Sequence, residues 1–276
     1  MKTVAHLSDI HFGSVDYAII DPLVATIHDL APDLVAVSGD LTQRARSREF
    51  IEARVFLDRL PKPQIVVPGN HDVPLYNVFR RFAQPLKKYR RYITDDIAPL
   101  YIDEEIAVIG VNTARSLTIK GGRINEQQIA ALRDKLCDLS DEIVKVVVTH
   151  HPFDLPSGNL ESDLVGRATL AMKTLAECGV DVFLAGHMHL MHTGHTAARY
   201  QMPGHSALVV QAGTATSTRH RGETNSFNLI RIEGMAISVE RFVWQPDELR
   251  FVAGARERFL RDGAIWRPHD PNASNG

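Results

Sequence analysis

Cysteine is almost missing from this chain. Only Cys137 and Cys178 occur among 276 residues. Two cysteines so placed fit neither a disulfide framework nor a CxxC metal site. Both fall in helix-like segments, so free buried thiols are the expectation. Charge of one sign is missing too. Lys and Arg number 31 against 33 Asp and Glu, a net charge of −2. That balance gives no global pull toward nucleic acid or a membrane surface, and high-affinity duplex binding is not expected. No apolar stretch has the length of a membrane span or the form of a signal peptide, and Met1-Lys2 leads straight into a strand. With reduced thiols, this predicts a cytoplasmic setting. Internal repeats and low-complexity tracts are absent as well.

What the chain does have is a 44% apolar share, enough for a sizeable core. Strand and helix patterns alternate through most of it. Residues 17–30, 47–60, 125–137 and 164–178 carry helical periodicity. Residues 75–92 read as a helix broken at Pro85. Residues 101–102 and 106–111 flank a hairpin turn, and after Leu190 the pattern turns to strands at 193–199, 208–211, 227–232 and 236–242. This predicts an α/β domain over residues 1–243. Residues 244–276 form a C-terminal extension that either packs back or serves a homodimer contact, with a frayed polar end.

Five short apolar runs end in residues that bind metals. They lead into Asp9-Ile10-His11, Gly39-Asp40, Gly69-Asn70-His71-Asp72, His150-His151 and Gly186-His187-Met188-His189. Short β-branched runs beside Gly or Pro read as buried strands, and an open α/β sheet binds its ligands past the C-terminal strand ends. The five loops would therefore bring together Asp9, His11, Asp40, Asn70, His150, His187 and His189. On an extended backbone, residues i and i+2 point to one side, which would pair Asp9 with His11 and His187 with His189. Asp40, with two carboxylate oxygens, could bridge two ions. A mixed oxygen and imidazole set without thiolate suits Mn, Fe or Zn better than Ca. His71 is placed to protonate a leaving alkoxide, and Asp72 to orient its imidazole.

This series of motifs, complete and in order, resembles that of the calcineurin-like metallophosphoesterases. Within them, the HLSDIHFG, SGDLT and PGNHD segments are similar to the class III cyclic-nucleotide phosphodiesterase branch, which also holds glycerophosphodiesterases. The resemblance spans roughly residues 3–240. It implies a four-layer α/β/β/α sandwich of two mixed sheets flanked by helices. It implies one divalent or mixed-valence metal on Asp9, His11, Asp40 and His189, and a second on Asp40, Asn70, His150 and His187. His151 matches no family ligand. The implied activity is hydrolysis of a small organic phosphodiester, a cyclic nucleotide in the first instance, by metal-activated hydroxide.

Further residues are candidates for substrate contact. Asn70 and His71 lie in the ligand loop, His195 lies where a strand is expected to leave the site, and Arg219 follows a strand and could meet a phosphate. Asn112-Thr113 could reach the site edge. Residues 79–92 interleave Arg80, Arg81, Lys87, Lys88, Arg90 and Arg91 with Phe79, Phe82, Tyr89 and Tyr92. One reading is a flap that attracts an anionic nucleotide or lipid head group; the other is a solvated helix with its aromatics packed inward. Pro85 disfavours a membrane-bound amphipathic helix. A lipid-linked pyrophosphatase or phospholipid or glycerophosphodiesterase is the second enzyme reading, and a metal-stabilised scaffold without activity is the third.

Overall fold

Alternate residues of the strands feed two different apolar layers, and this two-sided burial builds the architecture. The structure, a computed structural model, describes residues 1–75, 78–116, 121–155, 163–200, 202–219 and 222–269, apart from the side chains of Val78, Arg80 and Ala198. The elements run β1 (Lys2–Leu7), α1 (Tyr17–Leu30), β2 (Leu34–Val37), α2 (Ser47–Arg59), β3 (Gln64–Val66), α3 (Val78–Ala83), α4 (Lys87–Tyr92), β4 (Leu100–Ile102) and β5 (Ile106–Gly110). They continue as α5 (Glu126–Leu136), β6 (Val144–Val148), α6 (Ala168–Glu177), β7 (Val182–Ala185), β8 (His192–His195), β9 (His205–Ser206) and β10 (Leu208–Gln211). The last four are β11 (Ser226–Glu233), β12 (Ala236–Gln245), β13 (Arg250–Asp262) and β14 (Ala264–Pro268).

Two mixed sheets result. One has the order β3-β2-β1-β11-β12-β13-β14-β9 and the other β4-β5-β6-β7-β10-β8. Val4, Leu34, Ala36 and Ile65 of the first sheet meet Val108, Val146, Val148 and Leu184 of the second in a central layer. Ala5, Leu7, Val35 and Val37 face the other way, onto Ile19, Leu23 and Ile27 of α1 and Phe50, Ala53 and Leu57 of α2. Ile109, Val147 and Phe183 likewise pack on Ile129 and Leu132 of α5 and Met172 and Leu175 of α6. The four-layer α/β/β/α sandwich is the expected one. β1, β2 and β3 are parallel, as are β5, β6 and β7, so their C-terminal ends open at common edges of the two sheets.

Two sequence expectations are corrected, and of the alternatives for the C-terminal extension the packed one is seen. Cys137 and Cys178, the C-caps of α5 and α6, are joined in a disulfide rather than free. The helices pack side by side in one layer, and a separation of 41 residues hides that. The strand expected at 193–199 ends at His195, where a 3₁₀ turn over Thr196–Ala198 takes over. Residues 250–268 form β13 and β14, which continue the larger sheet, with Phe251, Phe259 and Trp266 buried. Trp266 Nε1 donates to Asp181 Oδ1 at 2.9 Å, anchoring β14 under β7. Residues 270–276, expected to fray, lie outside the described residues.

Candidate metal centre

Main-chain hydrogen bonds draw the strand-end loops together. Asp9 N donates to Gly39 O at 3.1 Å, His11 N to Asp40 O at 2.9 Å, and Gly186 N to His150 O at 3.1 Å. The crossings are close. A Cβ on Gly69 would stand 2.1 Å from Asp40 Oδ1, and one on Gly186 would stand 1.7 Å from Ser8 Oγ. Glycine at both positions is therefore a packing requirement. Asp9, His11, Asp40, His187 and His189 all have φ between +52° and +72°, five of the nine non-glycine residues with positive φ among those described. The extended backbone expected for Asp9-x-His11 and His187-x-His189 is thus replaced by left-handed turns. Each costs roughly 1–3 kcal/mol and is characteristic of a site held in place by its surroundings.

These turns and the His150-His151 loop bring seven side chains together. Asp9, His11 and His189 form one group, Asp9, Asp40 and His150 a second, and His150, His151 and His187 a third. Asp9 Oδ1 lies 3.5 Å from His11 Nε2 and 3.2 Å from His189 Nε2, and the two imidazole nitrogens are 3.3 Å apart. His150 Nε2 is 3.3 Å from Asp40 Oδ2 and 3.1 Å from Asn70 Oδ1. Asp40 Oδ1 accepts the His71 amide at 2.8 Å, while Oδ2 faces both His150 and, at 3.7 Å, His11. Asp40 can therefore reach both sides through one oxygen, where the sequence suggested two.

The donor set fits cations. Ligands held about 2.0–2.2 Å from one ion stand roughly 2.8–3.6 Å from each other at octahedral or tetrahedral angles, close to the separations here. His189 Nδ1 donates to Arg219 O at 3.1 Å and His150 Nδ1 to Ser38 O at 2.8 Å. Each leaves its Nε2 lone pair aimed at a carboxylate, an arrangement that a cation satisfies. Asp9 Oδ1 and His11 Nδ1 are buried without a hydrogen-bond partner. Burial raises the Asp9 and Asp40 carboxyls, and facing imidazoles outweigh it, His189 and His11 for Asp9 and His150 and His71 for Asp40, so both stay below the usual range. Burial likewise works against a charged His150, yet Asp40 outweighs it and lifts the imidazole to about 9. Two buried carboxylates demand positive charge, and His150 reports that demand.

His71 and Arg219 are brought to this centre. The His71 ring stands edge-on to His11 at 4.9 Å, and Arg219 Nη1 is 3.4 Å from His71 Nε2. Asp72 does not orient His71 as expected. His71 Nδ1 donates to Gln43 O at 2.9 Å, whereas Asp72 accepts from the amides of Leu41, Thr42 and Gly69 and from Thr42 Oγ1. Asp72 is thus a tie between the loops after β2 and β3. His195 is not at the site either. Gln211 pairs with Ala185 beside the ligand loop, but His195 pairs with Leu208 at the far end of the strand and stacks edge-on to Phe259. His151 joins the third group, its Nδ1 2.8 Å from Thr113 Oγ1, so Thr113 does reach the site edge. Sequence reasoning missed Ser8, whose hydroxyl donates to Asp9 Oδ2 at 2.7 Å, and Gln43, which serves both His71 and Arg219. Ser8 precedes a ligand, which was a signal. Gln43 meets His71 through its main-chain carbonyl, which no side-chain motif reveals, and Arg219 through its side-chain Oε1. His220 and Arg221 lie outside the described residues.

An α/β/β/α sandwich with an Asp, Asn and His centre at its strand ends defines a class: hydrolases that act through bound metal ions. The particular family follows from comparison. The calcineurin-like phosphoesterase profile matches residues 2–191, and the chain belongs to that family. It is a metal-dependent phosphoester hydrolase. It is 31% identical over 210 residues to a glycerophosphodiester phosphodiesterase GpdQ of Enterobacter lignolyticus, covering 67% of this chain and 70% of that one. A probable glycerophosphodiester phosphodiesterase GpdQ of Arcobacter nitrofigilis is 27% identical over 168 residues, 59% of this chain and 58% of the relative. The fold is shared with a dimetal phosphatase from Danio rerio, at a TM-score of 0.64 and 14% identity, over 91% of this chain and 98% of that one.

Proposed function

We propose that this chain is a dimetal phosphodiesterase acting on a small organic phosphodiester. The observation that carries the reading is the pair of donor groups joined at Asp40 Oδ2. Asp9, His11, Asp40 and His189 would hold one ion, and Asp40, Asn70, His150 and His187 the other. The donor types suit Mn, Fe or Zn. Bound there, the ions supply Lewis-acid polarisation of the phosphoryl oxygens and activation of the attacking water. Arg219 lies where its guanidinium can neutralise a phosphoryl oxygen. His71, steadied by Gln43 O, would turn its Nε2 from Arg219 Nη1 to the departing oxygen and deliver a proton there when protonated on both nitrogens. Asn70 can touch both ion and substrate.

The names of the relatives favour a glycerophosphodiester over the cyclic nucleotide expected from the motifs. Turnover of a panel tests this: bis-nitrophenyl phosphate, nitrophenyl phosphate, 3′,5′- and 2′,3′-cAMP and glycerophosphodiesters, with and without Mn²⁺ and with Asp40→Ala. Metal-dependent diester cleavage absent from Asp40→Ala supports the reading, and preference for the monoester overturns it. A cytoplasmic setting belongs to the same proposal, although the Cys137–Cys178 disulfide weighs against a reducing compartment. Among the described residues no helix is long and apolar enough to cross a membrane.

A further inference from the structure

The segment from Val73 to Thr94 holds six Arg and Lys residues and not one acid. Its sequence suits either an anion-attracting flap or a solvated helix with buried aromatics, and the structure divides it. Tyr89 is fully buried and its hydroxyl donates to Val66 O at 2.9 Å, which fixes α4 on the body. Arg81 turns inward, its guanidinium donating to Ser116 O and Pro74 O. Phe79 and Phe82 turn outward instead, 80% and 55% exposed. Between these elements lies a cavity of about 550 Å³ whose walls include Ser47, Pro74, Phe79, Lys87, Lys88 and Arg91. That volume is of the size that encloses small organic ligands.

We propose that this cavity is a second anion subsite, which holds an anionic group carried by one of the two alcohols of the diester. The proposal rests on the phosphodiesterase reading. Lys87 and Arg91, one helical turn apart on α4, supply charge, and Lys88 is set by its 2.8 Å bond to Ala45 O. Arg91 is steadied 5.3 Å above the Tyr92 ring. Phe79 offers an uncovered face to a flat ring on the same ligand. Among the described residues, Lys87 and Arg91 enter no ion pair, so their charge is not spent within the protein. The subsite adjoins the reaction centre. Pro74 follows His71 by three residues, so their Cα atoms are at most about 11 Å apart. The loop carrying Gln43 and Ala45 is held from behind by Glu49, which accepts from the Arg44 and Arg46 amides. One diester can therefore place its phosphorus at the Asp and His centre and a second anion against α4.

The test uses the dinucleotides ApA and pApA, which differ only in a terminal phosphate. Each is measured as an inhibitor of bis-nitrophenyl phosphate hydrolysis by the Mn²⁺-loaded protein and, independently of turnover, by calorimetry. The wild type should bind pApA about tenfold more tightly than ApA at low salt. In Lys87→Ala/Arg91→Ala, both substitutions at exposed positions, that advantage should fall below about threefold. An advantage that survives the double substitution would mean that the terminal phosphate binds elsewhere, and no advantage in the wild type would mean that there is no subsite. Flotation on phosphatidylglycerol vesicles, lost in the double variant and accompanied by equal ApA and pApA affinities, would make this surface a membrane contact and overturn the subsite. Failure of the phosphodiesterase reading would show separately, as absence of metal-dependent turnover on every diester.

Discussion

Gly69→Ala isolates the close crossing that positions Asp40. Gly69 has φ −104° and ψ −176°, which any residue adopts, so alanine costs nothing through backbone strain. The cost is contact. The new Cβ would lie 2.1 Å from Asp40 Oδ1 and 2.4 Å from Asp40 N, where ordinary contact needs more than 3 Å. Neither neighbour yields easily. Oδ1 is held by the His71 amide, and the Asp40 turn is fixed by the His11 N bond to Asp40 O. Overpacking of this kind costs about 1–3 kcal/mol. The loop must shift by about 1 Å, carrying Oδ2 off the line between His11 and His150. Outer-shell changes at metal sites cost about 10–100-fold in affinity, and displacing a candidate bridging ligand belongs at the upper end. Mn²⁺ affinity by calorimetry and stability by urea unfolding measure the two effects. Gly234→Ala is the control: its φ of +55° penalises alanine by about 1–2 kcal/mol, yet its Cβ would meet nothing within 4 Å. It should lose stability and keep the metal. Gly69→Ala binding Mn²⁺ as tightly as the wild type would refute the reasoning.

Three other outcomes follow from particular contacts. His71→Ala should retain the metals and lose about 10²–10⁴ in rate on alkyl leaving groups, with a much smaller loss on nitrophenyl esters; equal losses on both would exclude proton donation. His195→Ala should leave kcat/KM within about twofold, because this ring faces Phe259 at the far strand end, and a tenfold loss would contradict that placement. Asp103 gives a pH signature. Burial would raise its carboxyl, but the Ile106 and Glu105 amides, Lys2 and the Tyr101 hydroxyl outweigh it and hold it at about 2. Its unfolded value is about 3.9, so its stabilisation is present above pH 4 and is lost as pH falls toward 2. Asp103→Asn should flatten the pH dependence of urea unfolding in that window, and an unchanged slope would show that the carboxylate contributes nothing.

The layers and the strand-end loops were legible because both depend on local pattern. A run such as Leu34–Val37, buried on both faces, is apolar throughout, and its end marks where a ligand can sit. β13 was not legible because residues 253–256 are exposed on both faces, so no alternation remains to read. The disulfide and the roles of Asp72 and His195 depend on which elements meet in space, and spacing along the chain carries none of that information. Least legible was the backbone at the ligands. Asp9-x-His11 reads as extended, yet both residues are left-handed, as are Asp40, His187 and His189. Glycine takes that conformation without strain, and the chain places it at Gly39 beside Asp40. Loop closure alone would be served by glycine at the five strained positions too. What glycine cannot supply is a carboxylate or imidazole aimed inward. The retained strain, roughly 1–3 kcal/mol at each of five donors, is explained if those donors share a partner whose attraction exceeds it, and a pair of cations is such a partner.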